Sequence, residues 1–268
     1  MAEQESIARV EEPATVDSVV ADLRALGVTP GDTVIAHTSL SALGWVVGGA
    51  QAVGQALQRA VTDRGTVVVP THTAQYTDPA EWENPPVPDD WIPVIRSSMP
   101  AFRPAVTPVR DVGVVPETFR TFPGVARSRH PVYSFAAWGA HGEAVVEDHA
   151  FDDGLGEGSP LARVYDRGGA VLLLGVDHHV NTSLHLAEYR ADIDLPTERN
   201  VAPVLVDDER TMVEMENLAI DSDDFAALGE AFEDEHEVTK GSVGAATATL
   251  VDQRAIVDFA VEWLEANR

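Results

Sequence analysis

The segment Gly175-Val176-Asp177-His178-His179-Val180-Asn181-Thr182-Ser183-Leu184-His185-Leu186-Ala187-Glu188 places three imidazoles and two carboxylates after the most apolar run of the chain, Ala170 to Val176. A helix opening at Asn181 would put Thr182, His185 and Glu188, each three residues apart, on one face. A histidine with a carboxylate one turn away can take a proton from a substrate, the carboxylate stabilising the imidazolium. The same spacing also describes a half-buried histidine beside a surface glutamate, which is the commoner occurrence. His178, His179 and His185 together could offer nitrogen donors to a metal, although an adjacent pair also fits a solvated loop.

Two other stretches carry candidate chemistry. His37-Thr38-Ser39-Leu40-Ser41 leads to Gly48-Gly49; hydroxyls and freed amides there could hold an acyl carbonyl or a pantetheine arm. Ordinary turn chemistry uses the same residues. Thr71-His72-Thr73 repeats the arrangement more weakly. Arg110, Arg120, Arg127 and Arg129 cluster along the chain of an otherwise acidic protein. This suits an anion such as a nucleotide phosphate, or arginines paired with surplus acids.

The elements that would position these groups are legible in outline. Helical spacing runs from Thr15, a candidate N-cap, to Leu26, with Gly27 as the stop. Thr33–His37 and the nearly all-valine Thr66–Pro70 read as strands, with a helix over roughly 50–61 between them. Val132–Trp138 reads as a strand and 140–146 as a helix. Ser159-Pro160 marks a helix start that ends at Gly168-Gly169. Ala170–Val176 reads as a buried strand, and a helix of 182–190 follows, capped by Asn181. Val201–Val206 and Thr211–Glu216 form a hairpin, and 253–266 is a helix with Ile256, Val257, Ala260 and Leu264 on one face. Residues 1–12 read as a frayed polar end. Residues 71–110, with eight prolines, Trp82 and Trp91, read as an ordered wall of a cleft. Apolar strands between helices predict a single three-layer α/β/α domain over 1–268 with a mixed central sheet.

Composition narrows the function. The 268 residues hold 18 Lys+Arg against 44 Asp+Glu, a net charge of −26, and no cysteine. Lys240 is the one lysine. Cysteine catalysis, disulfides and thiolate metal sites are excluded. Nucleic-acid binding and docking on anionic membranes are disfavoured. The acidic start of the chain does not read as a signal peptide and no run spans a bilayer, so a cytoplasmic protein is expected. Acid spread over the whole length, with lysine almost absent, suits a salt-rich cell interior that screens self-repulsion. A phosphate loop, a dinucleotide fingerprint, a G-x-S-x-G elbow and H-E-x-x-H are all missing.

Taken in order, several motifs resemble the aminoglycoside 3-N-acetyltransferase family. They are His37-Thr38-Ser39-Leu40-Ser41-Ala42-Leu43-Gly44; Arg127-Ser128-Arg129-His130-Pro131 with Ser134-Phe135-Ala136-Ala137; Gly158-Ser159-Pro160-Leu161; Leu173-Leu174-Gly175-Val176 with Asn181 to Glu188; and Gly241-Ser242-Val243-Gly244-Ala245-Ala246. The resemblance implies transfer of an acetyl group from acetyl-CoA to an amine, and a three-layer α/β/α fold. It implies His185 as base with Glu188 behind it, and His37 in the active site. Thr38, Ser39, Leu40, Arg127, Ser128, Arg129, Ser159 and Thr182 are expected to bind the coenzyme. Asp152, Asp153 and Glu157 are expected to face the acceptor; relatives often carry an aromatic near Asp152-Asp153, so acceptor preference is expected to differ. The expected partners are acetyl-CoA and a small amine, with no metal, nucleic acid or membrane, in a monomer or homodimer. A non-catalytic CoA-binding relative, an acyltransferase for a non-antibiotic amine and a metal-dependent hydrolase are the competing readings.

Overall fold

The structure is a computed structural model that describes residues 2–83 and 85–268. Met1 and Asn84, which fall within the expected polar end and the proline-rich stretch, lie outside the described residues. In chain order the elements are α1 (Ala2–Ala8), α2 (Val16–Ala25), β1 (Thr33–Thr38), α3 (Gly49–Val61), β2 (Thr66–Pro70), α4 (Ile92–Ser98), α5 (Val114–Phe119), β3 (Ala126–Arg127), β4 (Phe135–Gly139), α6 (Gly142–Val146), α7 (Pro160–Asp166), β5 (Ala170–Leu174), α8 (Ser183–Arg190), β6 (Thr197–Val206), β7 (Glu209–Leu218), α9 (Phe225–Glu235), β8 (Thr239–Val243), β9 (Ala246–Asp252) and α10 (Gln253–Asn267).

Seven strands form one mixed sheet in the order β3-β4-β2-β1-β5-β9-β8. The central strands β2, β1 and β5 run parallel, and the flanking strands are antiparallel. Ile35 sits level with Val68 on one side and Val171 on the other. Alternate residues point to opposite faces. Val34, Ala36, Val67, Val69, Leu172 and Leu174 pack under α2, α3 and α5. Ile35, Val68, Val171 and Leu173 pack against α6 to α10. Both faces are buried, so helices cover the sheet on each side as expected.

Local signals explain the element ends. Thr15 caps α2 in a reciprocal pair with Ser18, and Gly27 follows the helix at φ +112°. Ser159 Oγ accepts the Leu161 amide at 3.2 Å, with Pro160 in the first turn of α7. Several boundaries move. The strand expected from Val132 begins at Phe135, because residues 131–133 form a turn in which the Val132 and Tyr133 amides donate to His130 Nδ1 (3.1 and 2.9 Å). The helix expected from 140 begins at Gly142. Asn181 Oδ1 accepts the Ser183 amide at 3.2 Å, but regular helix starts one residue later than expected.

One expectation fails. Residues 2–8 are helical rather than frayed, and α1 is tied down where Trp45 Nε1 donates to Glu3 (3.4 Å) and Arg9 donates to the Ser41 carbonyl (3.3 Å). Described residues of the stretch 71–110 pack against the β6–β7 hairpin. Tyr76 meets Phe102 edge-on at 5.7 Å, and both join Val132, Ala202, Val204 and Met215 in a third apolar cluster. The hairpin turns at Asp207-Asp208, both at positive φ (50° and 64°), a two-residue turn geometry that aspartate tolerates.

Candidate active site

Because β1, β2 and β5 are parallel, their carboxyl ends bring Thr38, Thr71 and Gly175 to one edge of the sheet, the usual place for ligands in such folds. A cavity of about 800 Å³ opens there. His37 to Ser41 form one wall, Trp45, Val46, Gly48 and Gly49 a second, Asp111 to Val114 a third, and Val176, Val180 and Thr182 the floor toward α8. Glu3 and Ser6 of α1 reach its rim. Gly48 and Gly49 have φ of 84° and 55°, which glycine adopts without strain. They bring the N-terminus of α3 to the cavity with no side chain capping its amides, a setting that favours an anion.

His185 lies one turn beyond Thr182. Its Nδ1 is 2.5 Å from Glu188 Oε2, and its side chain is 14% exposed while that of Glu188 is fully buried. A proton on Nδ1 donated to the carboxylate leaves the lone pair on Nε2, so the neutral ring is oriented to accept a proton there. Glu188 Oε1 accepts from the Asp221 amide (3.0 Å) and from Arg268 (2.5 Å). The imidazole also packs against Phe225, with ring centroids 4.8 Å apart.

Other histidines surround this pair in the neutral form. Burial, then the proximity of His178 and His185, pulls His37 down to about 3. Burial, then His185 and His37, does the same to His72, also to about 3. Among the described residues, the Nε2 atoms of both are buried without a hydrogen-bond partner, as is Thr38 Oγ. His178 Nε2 is 3.3 Å from Glu233, while His179 faces Asp177. The three histidines raised as a metal set therefore turn to three different carboxylates. Among the described residues no group of three His, Cys, Asp or Glu is arranged to hold an ion.

The remaining predicted residues divide. Thr38, Ser39, Leu40 and Thr182 line the cavity with His37. The Ser39 amide donates to the Leu174 carbonyl at 2.9 Å, which removes it as a free oxyanion donor. Arg127, Ser128 and Ser159 turn inward. Arg127 donates to the carbonyls of Thr71, Pro104 and Thr107 and to the hydroxyls of Thr71 and Ser134, and it lies 5.1 Å from the Phe102 ring centre. It latches the proline-rich stretch to the sheet, and burial brings its guanidinium down to about 10. Ser128 accepts the Phe135 amide and pairs with His149. Arg129 is exposed. Among the described residues no Lys or Arg lines the cavity.

Asp152 and Asp153 sit beside the β6–β7 hairpin. Asp152 accepts the Glu216 amide at 2.8 Å. Burial, then the negative charges of Asp152 and Glu216, raises the Asp153 carboxyl. Glu157 instead makes two bonds with Arg190 (2.6 and 3.2 Å). Gly154 lets this loop close against His130, whose Nε2 a Cβ at 154 would overlap. His130 and His149 lie 4.8 Å apart by ring centroid, buried and bonded to the Phe151 and Gly154 carbonyls. Sequence reasoning singled out His72 only weakly, within Thr71-His72-Thr73, and missed Phe225, Asp221 and Arg268. Only His72 had a local signal, its place after β2; the others reach the site from distant parts of the chain.

The neutral histidines predict an acid limit to stability. Burial lowers His130 to about 3, as it does His37 and His72. Each takes up its proton near its ordinary value of 6.5 when unfolded. Between those values the unfolded chain binds more protons, so stability falls as pH drops from about 6.5 toward 3. Each histidine contributes up to about 1.4 kcal/mol per pH unit. The urea midpoint is expected to fall measurably between pH 7 and pH 5; an unchanged midpoint would contradict the neutral assignment.

Comparison with known proteins agrees with this architecture. The profile of the aminoglycoside 3-N-acetyltransferase family matches residues 35–265. The chain is 45% identical to the SPbeta prophage-derived aminoglycoside N(3')-acetyltransferase-like protein YokD of Bacillus subtilis, over 95% of this chain and 94% of that one. It is 39% identical to aminoglycoside N(3)-acetyltransferase VII of Streptomyces paromomycinus, covering 96% and 93%. The solved structure of AAC-IIIb, binary with CoASH, superposes with a TM-score of 0.86 at 35% identity, covering 95% of this chain and 97% of that one. With the His185–Glu188 pair standing at the carboxyl edge of a shared sheet, the chain belongs to the aminoglycoside 3-N-acetyltransferase family.

Proposed function

We propose that this chain moves the acetyl group of acetyl-CoA to an amine of an aminoglycoside or related amino sugar, at the 3-N position, by direct transfer. The observation that carries this reading is the His185–Glu188 pair one turn beyond a cavity wall. The acceptor nitrogen attacks the thioester carbonyl carbon. His185 Nε2 takes the proton that this nitrogen sheds, the C–S bond breaks, and CoA leaves as the thiolate. Thr38 Oγ, buried and without a partner among the described residues, is the hydroxyl suited to the developing oxyanion. The α3 N-terminus suits the coenzyme diphosphate. The crowded carboxylates of Asp152, Asp153 and Glu216 suit an acceptor with several ammonium groups, which would relieve their mutual repulsion.

The same reading treats residues 1–268 as one catalytic domain acting in the cytoplasm of a cell with a salty interior, where it would confer aminoglycoside resistance. No helix among the described residues is long and apolar enough to cross a membrane. Direct transfer agrees with the absence of cysteine. Initial rates at varied concentrations of both substrates test it. Intersecting lines, and an unchanged protein mass after incubation with acetyl-CoA alone, are expected. Parallel lines with acetylated protein would mean an acyl-enzyme instead.

A further inference from the structure

Glu188 is a fully buried carboxylate whose two oxygens face different partners. Oε2 faces His185 Nδ1, and Oε1 receives Arg268 Nη1 at 2.5 Å together with the Asp221 amide at 3.0 Å. Arg268 follows α10 and reaches back across α9. Its Nε and Nη2 donate to the two oxygens of Asp224 (2.8 and 2.5 Å), and Nη2 donates to the Asp221 carbonyl (2.6 Å). Its guanidinium carbon lies 5.9 Å from the centre of the Phe225 ring, which packs on His185. The guanidinium is thus fixed by a carboxylate and a carbonyl before it touches Glu188.

A buried carboxylate needs a compensating charge. If His185 were the only cation in reach, Glu188 would favour a permanently protonated imidazole, and that ring could not act as a base. With a guanidinium on the opposite oxygen, the carboxylate is compensated while His185 is neutral. We propose that Arg268 is the positioning residue of the pair: it holds Glu188 by Oε1 so that Oε2 stays on His185 Nδ1 and the imidazole rests neutral with Nε2 free. This rests on the reading of His185 as the base.

The other titratable groups around the ring do not confuse the test. His37 and His72 approach from the ends of β1 and β2 and are neutral above about 3. His178 faces Glu233 and Lys240 on the α9 side. Tyr189 is pushed up to about 12, by burial first and in part by Asp153, Glu188 and Glu198, and Tyr133 is raised further for the same first reason. Asp224 and Asp221 belong to the Arg268 bracket itself.

The experiment compares wild type, Arg268→Met and Arg268→Lys by the pH profile of kcat/KM and by NMR titration of the His185 imidazole, with thermal melting alongside. In Arg268→Met the acidic limb and the imidazole midpoint are both expected to move up by about one pH unit. At pH 7, kcat is expected to fall by up to about tenfold while KM for acetyl-CoA stays within about twofold. Lysine restores the charge without the fork and is expected to recover part of the limb shift. A lower melting temperature with both midpoints unchanged would overturn the proposal, leaving Arg268 a structural brace. The titration reads the Arg268 effect independently of catalysis. An imidazole midpoint that moves while His185→Ala stays active would therefore sink the base assignment and leave the charge coupling standing.

Discussion

Replacing His185 with alanine is expected to lower kcat/KM for acetyl transfer by about 10²–10⁴-fold, the usual contribution of a general base. Affinity for acetyl-CoA is expected to stay within a few-fold. The reasoning is positional. His185 sits on α8 one turn beyond Thr182, and Thr182, not His185, lines the large cavity. The ring is anchored by Glu188 and flanked by Phe225, so alanine removes the proton acceptor without touching the cavity walls at His37–Leu40 and Gly48-Gly49. The cost should therefore fall on the acceptor step. Competition between CoA and acetyl-CoA, and CoA binding by calorimetry, separate the two. A variant within a few-fold of wild type in kcat/KM would remove His185 from the mechanism and bring neighbouring His37 or His72 forward as the base.

Glu188→Gln is expected to be costly in two independent measurements. The carboxylate is fully buried and accepts from His185, Arg268 and the Asp221 amide. Glutamine has the same shape, but one of its ends becomes a donor, facing either the Nδ1–H of His185 or an N–H of Arg268. Removing one partner of a buried ion pair costs on the order of 3–5 kcal/mol. In a chain of this size that lowers the melting temperature by roughly 6–20 °C. The rate is expected to fall about as far as in the His185 variant, because a neutral amide no longer stabilises the imidazolium that forms when His185 takes the proton. Glu188→Asp keeps the charge and should recover stability better than rate, since the shorter side chain cannot span from His185 to Arg268. Wild-type melting and turnover in Glu188→Gln would contradict the structural account of the pair.

Much of the frame could be read from the residues because its signals are local. Thr15 with Ser18, Ser159 with Pro160, and Gly27 mark helix ends through backbone chemistry that neighbours decide. The runs at Thr66–Pro70 and Ala170–Leu174 are apolar on both faces, which only a covered sheet requires. His185 and Glu188 were visible because a helix fixes what stands three residues apart. What stayed hidden depends on long-range contact. Arg268 is 80 residues from Glu188, and Phe225 opens a helix whose periodicity says nothing about His185. α1 is too short and too polar to announce itself; its Glu3 meets Trp45, and Arg9 just beyond it meets Ser41.

The arginine cluster shows a different reason. Arginines preserved in an acidic chain suggest a bound anion, yet Arg127 faces carbonyls of the stretch 71–110. Prolines contribute a carbonyl but no N–H, so a segment with eight of them has more acceptors than donors. A guanidinium with five N–H groups is the side chain that best corrects that imbalance. Arg120 does similar work, donating to Glu117 and to the Ala105 carbonyl (3.0 Å). Arg120 thus meets the acid-pairing alternative through Glu117, while Arg127 serves the carbonyls of the proline-rich stretch, partners that its local sequence does not announce.

The most direct test of the account is thiol release from acetyl-CoA by the full chain, with and without an aminoglycoside, at low and molar salt. The prediction is release that depends on the amine, one CoA per acetyl group gained by the acceptor on mass analysis, lost in His185→Ala and sustained in molar salt. Tight CoA binding with no amine-dependent release at either salt concentration would contradict it and leave a coenzyme-binding relative without transferase activity.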